Sequence, residues 1–218
     1  MIYNLLVLYL NLIEIFLISI LPISLIRFKV ISPKFRIFVL LGIFILSFFI
    51  IFFQHISFIE IGIRTDNFYP SIIVYSVSTI IAILFLITLA KITKNTHAQK
   101  WYKDPHFLFL FIPISFAQQF LFQGFILFKL NFIFNSLIAI IVTALIFGYM
   151  HTIYPRPLFN MILGTIAGLF FATLYTIYPN LFVSSITHSI LNLIAVYLGF
   201  FTFRDSDKVP KKIELSLF

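Results

Sequence analysis

The sequence predicts an all-α fold, a polytopic membrane helix bundle with about seven transmembrane helices. Three observations predict it. Of 218 residues, 61% are hydrophobic and only 10% are charged, whereas a soluble domain carries about 25% charged residues. The apolar residues come in runs of about 20, the helical length that crosses a ~30 Å hydrocarbon core. The basic residues gather in alternate loops between those runs, the asymmetry that sets orientation across a bilayer. Mean hydropathy is +1.11.

The runs fall at roughly 2–26, 35–53, 69–90, 106–128, 131–153, 158–178 and 181–203. Inside hydrocarbon every backbone polar group must be satisfied within the segment, so each run is expected to be a helix. The first has no basic residues ahead of it and is too long for the apolar part of a signal peptide, so it is taken as a retained span. The first loop holds Arg27, Lys29, Lys34 and Arg36, the third Lys91, Lys94, Lys100 and Lys103, the fifth Arg156, and the tail Arg204, Lys208, Lys211 and Lys212. The intervening loops hold only Arg64 and Lys129. The positive-inside rule then places the N-terminus outside and the tail in the cytoplasm. Pro155, Pro157 and Pro179 mark turns, while Pro113 predicts a kink in the fourth span just before its glutamines. Residues 54–68 are expected to form an external loop or interfacial segment, and 204–218, short and mixed in charge, a disordered tail. The expected organisation is three N-terminal spans with their loops over 1–104, a four-span core over 105–203, and a cytoplasmic tail over 204–218.

The chain has no cysteine, which excludes disulfides, zinc–thiolate sites and a thiol nucleophile. Its net charge of +8 is carried in short loops beside apolar spans and points to the lipid bilayer, with no nucleic acid as partner.

Polar groups inside spans are costly and turn toward protein or water. Gln118, Gln119 and Gln123 lie on the fourth span, with Gln118 about 18 Å along the helix from His106 at ~1.5 Å per residue, near mid-membrane. Gln119 and Gln123, four apart, would share a helical face, with Gln118 rotated about 100° from them. Phe147 and His151 share a face of the fifth span. His188 and Asn192 share a face of the seventh, which Ser184 extends. Each cluster alone fits interhelical hydrogen bonding as well as a site. Asn160, Gly164, Gly168 and Ala172 form a small-residue stripe suited to close helix packing. Glu14 is the sole acidic residue well inside a span. It is a functional candidate by position, with a structural role beside Asn11 as the alternative.

In order, these clusters resemble the three motifs of the CAAX prenyl endopeptidase family, also called the Abi or CPBP family of intramembrane proteases: EExxxR, FxxxH and HxxxN. The first falls on QQFLFQG as Gln118, Gln119 and Gln123, followed by Gly124. The second is intact as Phe147 and His151, and the third as His188 and Asn192. The resemblance covers about 105–198. It implies that the first acidic position and the histidine of FxxxH activate a water, and that the HxxxN pair binds the developing oxyanion. It implies catalytic positions Gln118, His151, His188 and Asn192, supported by Gln119, Gln123 and Phe147. The family is sometimes annotated with zinc. Here any metal would rest on His151 and His188, and two histidines with neutral amides make a poor zinc set, so no cofactor is expected. Hydrolysis of a peptide needs a base for water and donors for the tetrahedral oxygen. A glutamine amide orients water but does not take its proton. At the second and third positions two amides replace an acid–base pair, and they are expected to hydrogen-bond to each other instead of leaving one charge stranded.

The expectation is a pseudoprotease of a membrane, by resemblance a bacterial cytoplasmic membrane, binding a membrane-protein or peptide partner in an immunity or regulatory role. Two alternatives stay open. One is an active endopeptidase using His151 or Glu14 as base. The other is a small transporter or lipid-binding protein.

Overall fold

The computed structural model describes residues 2–93, 105–154 and 156–200. Lys94, Lys100 and Lys103 of the third loop, Pro155 and everything from residue 201, the basic tail included, lie outside the described residues.

Helix α1 (Ile2–Ile15) passes through a π-helical turn at Phe16–Ile20 into α2 (Leu21–Arg27). Then come α3 (Arg36–Phe53) and α4 (Phe68–Ile92). The core begins with α5 (Pro105–Gln119), which continues through a π-helical stretch, Phe120–Leu127, into α6 (Phe128–Ile133) as one crossing. It ends with α7 (Ser136–Met150), α8 (Pro157–Ile177) and α9 (Leu181–Tyr197). Six stretches are long and apolar enough to cross a membrane, and α9 is a shorter apolar helix. The chain is an integral membrane protein built as a helical bundle in contact with lipid.

Burial identifies the centre. Of the apolar window in Phe111–Ile133, 72% is buried in protein, against 28% or less in each of the three N-terminal spans. The fourth crossing is therefore the axis, and the N-terminal helices leave most of their phenylalanines and isoleucines facing outward. Against that axis α7 and α8 pack on their small residues. A Cβ on Gly168 would stand 2.8 Å from the Ala144 Cα, and one on Gly148 2.0 Å from the Thr165 Oγ1. The predicted stripe on α8 is this contact, with Asn160 and Ala172 also buried.

Two boundaries differ from the sequence reading. The fourth span runs on to Ile133, and the turn comes at Phe134–Asn135, where the Asn135 side chain accepts from the Ile138 N–H at 3.0 Å and caps α7. Helix α9 stops at Tyr197, not 203. Gly199 adopts φ 78°. The Phe200 N–H bonds the Ala195 carbonyl at 2.9 Å and the Gly199 N–H that of Val196 at 3.0 Å, which is a Schellman ending. The expected distortion before the glutamines is also displaced. Pro113 sits within α5, and the π-helical winding follows Gln119.

Lys129, expected in a loop, is consequently inside α6 and 3% exposed. Its Nζ pairs with Glu14 Oε2 at 2.8 Å and donates to Gln54 Oε1. Gln54 Nε2 in turn donates to Glu14 Oε1 at 2.8 Å. Glu14 is thus a structural anchor that ties the first crossing to the core, which removes it as a mobile base. Asn11 does not assist it, bonding instead to the Val7 carbonyl at 3.0 Å.

The same end of the bundle is closed by residues 54–67, which dock onto the α8–α9 turn. The Leu181 N–H donates to the Gly62 carbonyl at 2.8 Å. Asn180 Nδ2 donates to Asn67 Oδ1 at 2.9 Å, and Asn67 Nδ2 to the Pro179 carbonyl at 3.0 Å. The Tyr175 hydroxyl donates to the Ile61 carbonyl at 2.5 Å. Gly62 is required at this point: its φ is 79°, and a Cβ would stand 2.0 Å from the Tyr175 Oη.

Replacing Lys129 by Met leaves Glu14 facing the bundle without its cation, a change that costs roughly 3 kcal/mol when a buried pair is broken from one side. The double change Glu14→Gln, Lys129→Met should lose clearly less. Chemical unfolding in detergent followed by fluorescence of Trp101 reads the difference; equal losses would show that the pair is not coupled.

Candidate functional site

Gln118 and Gln119 end α5, Gln123 follows in the π-helical stretch, and His188 and Asn192 lie on α9, with Asn192 displaced from His188 toward the end of the bundle opposite the 54–67 closure. His151 is the first residue after α7, in a 3-10 turn His151–Ile153. Its position is set by α8, where Gly164 lies so close that a Cβ would stand 2.8 Å from the His151 Nδ1 and 2.9 Å from its Cγ. The small-residue stripe therefore serves two ends, packing α7 on α8 and seating the imidazole.

The two histidines meet around one ring. Phe147 lies 4.8 Å from the His151 ring and 5.7 Å from that of His188, between centroids, and Phe122 packs edge-on to it at 4.8 Å. Phe171 backs His188 at 4.9 Å. The short α9 brings His188 to the depth of His151. Its first residue, Leu181, is already buried beneath the docked loop, and His188 is one residue short of the middle of its 17 residues.

Hydrogen bonds fix the tautomers. His151 Nδ1 lies 2.8 Å from the Phe147 carbonyl, which only accepts, so Nδ1 carries the proton and Nε2 is the acceptor nitrogen of the neutral ring. On the other side the Ser184 hydroxyl donates to Gln119 Oε1 at 2.7 Å. That leaves the Gln119 Nε2 donating to His188 Nδ1 at 2.8 Å. His188 therefore holds its proton on Nε2.

A cavity of about 30 Å³ lies beside this network, walled by Gln118, His151, Tyr154 and Asn192, with Phe111, Ile114 and Val196. It has room for about two waters. Gln118 points one amide oxygen into buried space without a protein donor. The structure thus brings Gln118, His151 and Asn192 to one cavity and places Gln119 and His188 behind it. Gln123 stands apart. It is fully buried and neither amide atom has a protein partner. The expected bond between Gln119 and Gln123 is absent, because both amide atoms of Gln119 are already taken by Ser184 and His188. Tyr154 and Gly164 were missed in the sequence. Nothing distinguishes Tyr154 among ten tyrosines, and Gly164 was credited to packing alone.

The donor set does not fit zinc. From Pro105 to Phe200 the chain contains no aspartate or glutamate, and among the described residues no three His, Cys, Asp or Glu side chains gather to hold a metal. A catalytic zinc takes three such ligands.

Residues 101–194 match the family model for type II CAAX prenyl endopeptidase Rce1-like proteins, and the chain carries that domain, as its motif spacing indicates. No curated protein and no solved structure matches the chain.

Two outcomes check the site. In Gln119→Glu the carboxylate accepts from both neighbours, so the His188 proton moves to Nδ1; nitrogen-15 spectra of labelled histidine should show this exchange, and an unchanged Nε2–H ring would disprove the assigned hydrogen-bond direction. Gly164→Ala forces the His151 ring aside at a cost of about 1–3 kcal/mol. Gly42→Ala, with nothing within 4 Å, should be neutral or slightly stabilising in the same unfolding measurement.

Proposed function

We propose that the chain is a pseudoprotease of the CAAX endopeptidase type, which binds a membrane-protein partner or a peptide tail within the bilayer and does not cut it. One observation carries this reading: the position bonded to His188 is a glutamine whose oxygen and nitrogen are both engaged, in a core without a carboxylate between 105 and 200. Peptide hydrolysis requires a group that takes a proton from water. An amide cannot, and loss of a general base lowers the rate about 10²–10⁴-fold. The donors for an oxyanion survive, since the His188 Nε2–H and the Asn192 amide remain on one face of α9. Such a site recognises a carbonyl more readily than it hydrolyses one. The described basic residues at the cavity end, Arg27, Lys29, Lys34, Arg36, Lys91 and Arg156, support a cavity on the cytoplasmic side and an N-terminus outside. A role in immunity or in restraining another membrane enzyme fits a site of this kind.

A second reading has one observation in its favour. The His151 Nδ1–H bond leaves Nε2 as acceptor in the ring that walls the cavity, so His151 could serve as the base of a slow protease. Purified protein with prenylated peptides separates the two. The first reading expects no cleavage above background in the native chain, and a gain of about 10²–10⁴-fold in Gln118→Glu, Gln119→Glu, Gln123→Arg. Cleavage by the native chain that disappears in His151→Ala would establish the second.

A further inference from the structure

The cavity beside His151 is smaller than the ligand its polar walls suit. At about 30 Å³ it admits water-sized groups, so a peptide carbonyl reaches Gln118 and Asn192 only if a wall moves. The walls differ in how they are held. Phe111, Ile114 and Gln118 lie within α5, and Asn192 and Val196 within α9. Those two helices are joined next to the cavity by the bonds of Gln119 to Ser184 and His188. Tyr154 is the one of these wall residues that lies outside a helical turn. It follows the 3-10 turn His151–Ile153 with extended backbone, ψ 162°, and is half-buried.

The stretch from Tyr149 to Tyr154 meets α2 at one end and α3 at the other, and the two contacts are unlike. At the first end the Ser24 hydroxyl donates to the Ile20 carbonyl at 2.7 Å, so the Tyr149 hydroxyl donates to Ser24 Oγ, 2.9 Å away. Thr152 Oγ1 donates back to the Tyr149 carbonyl at 2.8 Å. His151, between them, is kept in place by its Nδ1–H bond to the Phe147 carbonyl and by the close approach of Gly164. At the other end the Arg36 guanidinium, on the first residue of α3, lies 5.4 Å from the centre of the Tyr154 ring. The same ring is 5.9 Å from that of His151. A hydrogen bond fixes a direction, whereas a cation against an aromatic ring is held by a weaker and broader attraction.

We propose that Tyr154 is the gate of the site and that Arg36 holds it shut. The Tyr154 ring swings away from His151 to admit a ligand carbonyl, while Tyr149 and His151 keep their places. Arg36 lies outside residues 101–194, the part that matches the family model, so entry to the site is set by an N-terminal helix that carries none of the three motifs. This inference rests on the reading that the site takes a ligand, and it adds what controls access.

Diethyl pyrocarbonate tests this without any partner, because it acylates a neutral imidazole nitrogen and is larger than the cavity. Peptide mapping of the full chain treated in detergent gives the rate at His151 relative to His55, which is exposed. In the native chain His151 should react far more slowly than His55. Arg36→Gln should speed His151 several-fold, up to about tenfold, with His188 unchanged. Arg36→Lys keeps a cation near the ring without the guanidinium's other contacts, and should stay close to native. If Arg36→Gln does not fold, Tyr154→Leu, which removes the aromatic face and keeps bulk, should give the same acceleration. Native His151 reacting as fast as His55, no acceleration in the folded variant, or His188 accelerating in parallel overturns the proposal. Cleavage of prenylated peptides by the native chain would overturn the pseudoprotease reading and leave this result as it stands.

Discussion

The chemistry of this protein depends on the direction of one amide. Gln119 has an acceptor oxygen and a donor nitrogen, and Ser184 claims the oxygen. The nitrogen must then donate to His188, and the imidazole must answer with a lone pair at Nδ1. A carboxylate at that position would accept from both neighbours and drive the His188 proton to Nδ1, baring Nε2 as a base or metal ligand. One atom's change from oxygen to nitrogen therefore converts the far side of the ring from acceptor to donor. A glutamine at this position thus makes the neighbouring histidine a donor at its far nitrogen.

The other constraint is the cost of polarity in hydrocarbon, and the molecule meets it in two ways. Charges are paired or moved to the ends: Lys129 is enclosed by Glu14, Gln54 and the Phe125 ring, Arg64 pairs with Asp66, and the other described Lys and Arg residues gather at the cavity end. Several uncharged polar groups in the centre bond to backbone, as with Ser19, Thr79, Ser185 and Ser189 on carbonyls one turn back. The neutral first motif belongs to the same economy. Two amides in place of an acid and an arginine avoid a buried charge left without its partner, a situation that costs about 3–5 kcal/mol.

Much of this was legible in the sequence, for physical reasons. Long apolar runs leave little choice but membrane helices, and glycines spaced by four on α8 can do little but let another helix approach. The motif spacing led to the family and to His151, His188 and Asn192. Helix ends were less legible, because the stop signals are local and quiet. Asn135 caps α7 with a single hydrogen bond, and misplacing that turn put Lys129 in a loop and hid its bond to Glu14. The bond pattern of the glutamines could not be read at all. Helical periodicity aligns Gln119 with Gln123, but it does not reveal that Ser184 and His188 take both amide atoms of Gln119.

The three glutamines thus have three different lives, which bears on whether they are only adhesive between helices. Gln119 is adhesive in the full sense, joining α5 to α9 through both amide atoms. Gln118 turns toward the cavity, and its oxygen has no protein donor; Gln123 is enclosed, with no protein partner for either atom. A buried polar atom left without a hydrogen bond costs about 1–3 kcal/mol, and a leucine at either place would avoid that. Helix adhesion accounts for one amide of the three. Gln118, which walls the cavity, is placed to hold water or the polar end of a ligand, and interhelical adhesion does not explain the enclosed Gln123.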